Sequence, residues 1–138
     1  MSDRIFVYGT LLSAVPSAAS KWLLQHAQLL GEASFPGALY DLGSYPGFVL
    51  ATTSSGRVAG EIFQLYDPVA AFAFLDIYEG LNEQEPLYRR DVLEHPDYGL
   101  VWTYVYQGAT KNLSLIAGGD YRKYYEQHAL HRLFIEGQ

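Results

Sequence analysis

The chain has 138 residues and no cysteine, which excludes disulfides, thiol catalysis and cysteine-built zinc sites. A formal net charge of −6 argues against a general nucleic-acid partner, because phosphate binding needs clustered Lys and Arg. No apolar run approaches the roughly 20 residues of a membrane span, and this length builds one hydrophobic core, so a single domain over residues 1–138 is expected. Residues 1–9, MSDRIFVYG, lack the basic and apolar regions of a signal peptide, and the expectation is a cytoplasmic protein.

In chain order, residues 5–8 (IFVY) are rich in β-formers and read as a buried strand. Gly9 and Thr10 interrupt it, so Tyr8, Gly9, Thr10 and Leu11 read as a strand running into a tight turn. A glycine there lets main-chain N–H groups converge on one concavity that suits an oxyanion or a carboxylate. A plain strand-ending turn is the other reading. Residues 21–31 (KWLLQHAQLLG) have approximate helical spacing, with Gly31 as a stop and His26 as a surface or packing residue. No second ligand stands at metal spacing from His26.

Pro36-Gly37, Leu42-Gly43 and Pro46-Gly47 are turn signals, which leaves strands near 38–41 and 48–52. Ser54-Ser55-Gly56 predicts a hairpin turn into a strand over 57–66. Glu61 falls on that strand's more apolar side, where a salt bridge or a hydrogen-bonded structural role is expected.

Residues 66–90 carry the best-punctuated helix. Asp67 is a natural N-cap, Pro68 fits the first helical position, and Gly80 suits the left-handed residue past the end. Asp76 and Glu79 stand three apart at the last turn and share a face. The unsatisfied carbonyls there give that end partial negative charge, so a partly buried acid holds its proton more readily than a free one. That property suits a general acid/base; a solvated acid before a turn is the alternative. Residues 87–94 and 100–106 then read as two strands joined by HPDYG, and 111–119 as a loop. Asp120 caps a final helix over 120–134, with His128 and His131 on its surface. Many short strands with two or three flanking helices make an α+β domain, its sheet curled into a small mixed β-barrel.

FVYGTL at 6–11, GEASFPGALYDLGSYPG at 31–47, VAGEIF at 58–63, LDIYEG at 75–80 and YRR at 88–90 occur in that order. With WTYVY at 102–106 and GGDYRKY at 118–124, they make the chain resemble the γ-glutamylcyclotransferase-like family, specifically small bacterial members related to γ-glutamylamine cyclotransferase. The resemblance implies that fold, with a pocket lined by the 8–11 turn. It implies Glu79 as general acid/base, Tyr8, Gly9, Thr10 and Leu11 holding the γ-glutamyl group through backbone N–H groups, and Tyr88 lining the same pocket. Asp76 is then structural.

The implied reaction is cyclotransfer on γ-glutamyl amines or peptides, giving 5-oxoproline and a free amine or amino acid. It calls for a small-molecule substrate and no metal or nucleotide cofactor. Two alternatives stand beside it: a non-catalytic module binding a small carboxylate, and removal of a γ-glutamyl group from a biosynthetic intermediate. The sequence leaves the oligomeric state open.

Overall fold

The structure is a computed structural model that describes residues 2–51 and 56–137. Its strands are β1 (Arg4–Val7), β2 (Ala27–Asp41), β3 (Pro46–Leu50), β4 (Arg57–Leu65), β5 (Tyr88–His95), β6 (Gly99–Tyr106) and β7 (Ser114–Leu115). Its helices are α1 (Ala18–His26), α2 (Pro68–Tyr78), α3 (Tyr121–Gln127) and α4 (Ala129–Glu136), with a short 3-10 turn at Ala117–Gly119.

The strands join in the order β3-β2-β4-β1-β6-β5, with β7 on β2. β1 is central: it runs antiparallel to β4 and parallel to β6, where Ile5 faces Trp102. The two ends of the order approach each other. The Tyr88 hydroxyl on β5 donates to the Pro46 carbonyl on β3 at 2.6 Å. A Cβ on Gly47 would lie 2.9 Å from Cβ of Tyr106, so the missing side chain lets β3 close against β6. The sheet is therefore a nearly closed mixed barrel. Phe6, Leu39, Phe48, Ile62 and Phe63 are fully buried among its core residues.

β2 differs from the sequence expectation in length and continuity. It starts at Ala27, directly after α1, so Gly31 lies within a strand and does not stop a helix. Pro36-Gly37 is no turn either: β2 pairs with β4 through Pro36 and with β3 from Gly37 onward. The strand changes partner there, where Pro36 has no N–H to offer a ladder and a Cβ on Gly37 would lie 2.5 Å from the Val49 carbonyl oxygen. Of the strand expected near 48–52 and the Ser54-Ser55-Gly56 turn, residues 52–55 lie outside the described residues.

α1 begins earlier than its apolar spacing suggests. Ser17 caps it and exchanges hydrogen bonds with Ser20 in a capping box, with serine where Glu or Gln is usual. The final helix is divided at His128, whose extended backbone (φ −123°, ψ 103°) separates α3 from α4, so four helices flank the sheet among the described residues. His131 is not a surface residue. It is 1% exposed, its Nδ1 bonded to the Tyr121 hydroxyl at 2.6 Å and its Nε2 to Asp41 Oδ1 at 2.8 Å. Tyr124 also donates to Asp41, so the end of β2 anchors both terminal helices. Among the described residues, no helix is long and apolar enough to cross a membrane.

Candidate active site

β1 leaves the sheet at Val7 and the chain turns through residues 8–11, with the Leu12 amide donating to the Gly9 carbonyl at 3.0 Å. Ser17, Tyr78 and Glu61 hold this turn and the residues just after it from outside. The Ser17 hydroxyl donates to the Thr10 carbonyl at 2.5 Å, and the Tyr78 hydroxyl donates to Thr10 Oγ1 at 3.1 Å. Glu61, 6% exposed, accepts from both the amide and the hydroxyl of Ser13, at 2.8 and 2.7 Å. This is the structural role expected of that acid. The Thr10 and Leu11 amides donate to no protein acceptor among the described residues.

Gly9 is small for a reason the sequence hid. A Cβ there would lie 2.6 Å from Cγ of Pro46, so the turn nests against the start of β3. A bulkier residue would displace Pro46 itself.

α2 delivers the acid. Asp67 accepts from the Ala70 amide at 3.2 Å, Pro68 opens the helix, and the end is a Schellman motif. The Gly80 amide bonds to the Ile77 carbonyl and the Leu81 amide to the Asp76 carbonyl, with Gly80 at φ +77°. Glu79 is thereby fixed as the C-cap directly after α2, with both following amides used in the cap. The residue as a whole is half-buried, but its carboxyl is set deeply enough that desolvation dominates. Burial pushes its pKa from the ordinary carboxylate range up to about 8. No hydrogen bond reaches that carboxyl from any described residue.

Tyr8, Gly9, Thr10, Leu11, Glu79 and Tyr88 all line one cavity of about 230 Å³. The structure thus brings together every residue singled out from the sequence as a site candidate. Tyr8 and Tyr88 are held neutral, their pKa values raised first by burial and further by the nearby Glu79 charge. Their protons are committed, Tyr8 to the Tyr104 carbonyl at 2.7 Å and Tyr88 to Pro46. On this buried wall Glu79 is the group able to exchange a proton near neutral pH. Sequence reasoning missed Tyr45, Tyr104 and Phe134, which share the lining. Alternation along β6 could have flagged Tyr104; nothing local points to Phe134.

Asp76 does not line the cavity. It accepts from Arg90 Nε at 3.0 Å, Arg90 Nη2 at 3.3 Å and the Tyr104 hydroxyl at 2.7 Å. The Arg90 guanidinium lies 4.2 Å over the Phe72 ring and 4.6 Å over Trp102, so the cluster ties α2 to β5 and β6. Asp76→Asn is expected to lower the thermal midpoint by the equivalent of about 1–2 kcal/mol, since the pair is partly solvated. It should keep most of the turnover. A variant that retains its midpoint and loses turnover would move Asp76 into the chemistry. Among the described residues, no group of three or more His, Cys, Asp or Glu is placed to hold a metal ion.

The family model described as "Gamma-glutamyl cyclotransferase, AIG2-like" matches residues 5–123. A Vibrio cholerae protein named, provisionally, as a gamma-glutamylcyclotransferase is 41% identical over 123 residues, 88% of this chain and 96% of that protein. The gamma-glutamylcyclotransferase family protein ytfP of Citrobacter rodentium is 39% identical over 119 residues, 86% of this chain and 94% of its own. Among solved structures, protein ytfP of Escherichia coli superposes with a TM-score of 0.65 at 39% identity, covering 85% of this chain and 94% of that one. An AIG2-like protein of Mus musculus shares the fold, with a TM-score of 0.61 at 24% identity, covering 86% and 87% of the two chains.

Proposed function

Because the chain belongs to the gamma-glutamyl cyclotransferase, AIG2-like family, we propose that it closes the γ-glutamyl group of a small amide substrate to 5-oxoproline and releases the amine. The substrate carries its own nucleophile. Its α-amino nitrogen attacks the γ-carbonyl carbon, a C–N bond forms, and the carbonyl electrons move onto oxygen. Collapse of that oxyanion breaks the bond to the leaving nitrogen. Glu79 as carboxylate takes a proton from the attacking amine and, as carboxylic acid, gives one to the leaving nitrogen, so its charge is restored in each cycle.

The Thr10 and Leu11 amides, free of protein acceptors among the described residues, receive the developing oxyanion or the substrate carboxylate. The buried Tyr8 and Tyr88 rings fold the flexible γ-glutamyl chain toward the five-membered closure, replacing a search by a held geometry. The single observation that carries this reading is the desolvated Glu79 carboxyl, half-buried and without a hydrogen-bond partner among the described residues, on the wall of the cavity that contains the 8–11 turn.

The test is incubation with a panel of γ-glutamyl amines and dipeptides, with 5-oxoproline followed by mass spectrometry. No 5-oxoproline from any member, with binding intact, would leave a carboxylate-binding module in place of an enzyme. The pH profile adds a second readout. The base form of Glu79 starts the reaction and exists above its pKa, so kcat/KM is expected to rise with pH through about 8. The substrate's own amine is titrated separately in solution and its contribution removed. A corrected profile flat from pH 6.5 to pH 9 (roughly one to two units about the value) would detach Glu79 from the proton transfer.

A further inference from the structure

The cavity has a closed end and an open end. Val7, Tyr8, Leu11 and Tyr88 are buried, whereas Leu87 is 42% exposed, Phe134 is 47% exposed and Glu83 is exposed. Phe134 packs on Tyr45, with ring centroids 5.7 Å apart, so the open end is an apolar mouth of Tyr45, Leu87 and Phe134 with the Glu83 carboxylate at its rim. None of the described residues lining the cavity is Lys, Arg or His.

Phe134 comes from α4, and the stretch matched by the family model ends at residue 123. A segment outside the family match therefore builds one side of the mouth. It is firmly held: one turn before Phe134, His131 is buried and bonded to Asp41 and Tyr121, and the Tyr125 hydroxyl on α3 donates to Glu136 at 2.7 Å.

Resting on the cyclotransferase reading above, we propose that this mouth selects the leaving group as an amine with an apolar, preferably aromatic, body and no carboxylate. With the γ-glutamyl group folded against the turn at the closed end, the leaving amine projects toward the open one. Its apolar body lies against Phe134, Tyr45 and Leu87. A leaving amino acid or peptide would bring its carboxylate to a rim that supplies no cation and already holds Glu83. That carboxylate would lose hydration without gaining a partner, and like charges at short range add repulsion. The same reasoning separates amines from amino acids more sharply than one amine from another, since an unpaired charge costs more than a missing methylene.

The experiment compares matched substrates that differ by one carboxylate: γ-glutamyl-phenethylamine against γ-glutamyl-phenylalanine, with γ-glutamyl-methylamine as the body-free reference. The phenethylamine derivative is expected to exceed the phenylalanine derivative in kcat/KM by at least about tenfold, mostly through KM. Phe134→Ala should cut the preference for phenethylamine over methylamine by about tenfold, the worth of one partly buried aromatic contact. Glu83→Gln should narrow the gap between the amine and the amino acid, and added salt should narrow it in the parent protein. Equal kcat/KM across the carboxylate pair, or a Phe134→Ala effect equal on all three substrates, would overturn the assignment. Failure of the catalytic reading is separable. If nothing is turned over, calorimetric Kd values for the same three compounds still decide the mouth's preference: tighter binding of the phenethylamine derivative upholds it, and equal or reversed affinities reject it.

Discussion

Glu79→Gln is expected to lower kcat/KM by at least ~10²-fold and up to ~10⁴-fold, the range of general acid/base catalysis. Gln keeps the size and a hydrogen-bonding amide but exchanges no proton near neutral pH. The loss should fall on kcat more than on KM, because the 8–11 turn that holds the substrate is untouched. Stability is expected to move the other way. The folded protein raises the Glu79 pKa from 4.5 to about 8, so between those values the native state binds more protons than the unfolded chain. The native contribution of this group is complete below the lower value and declines as pH rises through the upper one. Glu79→Gln removes the penalty, so its gain in thermal midpoint should be near zero at acid pH and grow to the equivalent of a few kcal/mol at most above about pH 8. The checks are steady-state kinetics at pH 8 and melting curves on both sides of the titration. Near-parent turnover by a folded Glu79→Gln protein would remove Glu79 from the mechanism.

Gly60→Ala is expected to damage the fold heavily for the single atom it adds. Its Cβ would lie 2.0 Å from the Val7 carbonyl oxygen and 2.8 Å from the Phe6 ring. Neither neighbour is the loose end of a side chain. Val7 belongs to the central strand, and Phe6 packs edge-on to Phe35 with ring centroids 4.7 Å apart. Relief requires β1 and β4 to separate, a backbone displacement worth roughly 3 kcal/mol or more. For a chain of this size that is a fall of about 10 °C or more in the thermal midpoint. Val7 runs directly into the 8–11 turn, so kcat/KM measured well below the lowered midpoint should fall as well. A midpoint within about 2 °C of the parent, less than one kcal/mol on the same scale, would show that the two strands have slack at this crossing.

Local chemistry explains which features were legible beforehand. Asp67, Pro68 and Gly80 mark the ends of α2 because capping is decided by residues a few positions apart. The 8–11 turn and Glu79 stand in short motifs, Tyr88 follows from the family resemblance, and all of them line the cavity. The long course of β2 was hidden because Pro36-Gly37 carries the same local signature at a change of strand partner as at a turn. The burial of His131 is hidden for the same kind of reason. On its own helix it looks solvated, and the groups that bury it include Asp41, ninety residues earlier. Phe134 sits on the outer end of a short helix, and its place at the cavity mouth depends wholly on how that helix is anchored.

The central position of β1 has a consequence for how the molecule comes into being. Ile5 finds its parallel neighbour at Trp102, and β1's antiparallel partner is not finished until Leu65. During synthesis at 5–20 residues per second, Ile5 waits roughly 5–20 s before its second flank exists. Such non-local pairing also slows the collapse of the finished chain, because distant segments must be brought together before contact rewards it. α2 suffers no such delay, since its caps are local. α2 can therefore be capped, and β1 paired with β4, while the other flank of β1 is still missing, and the cavity is among the last features of the nascent protein to take shape.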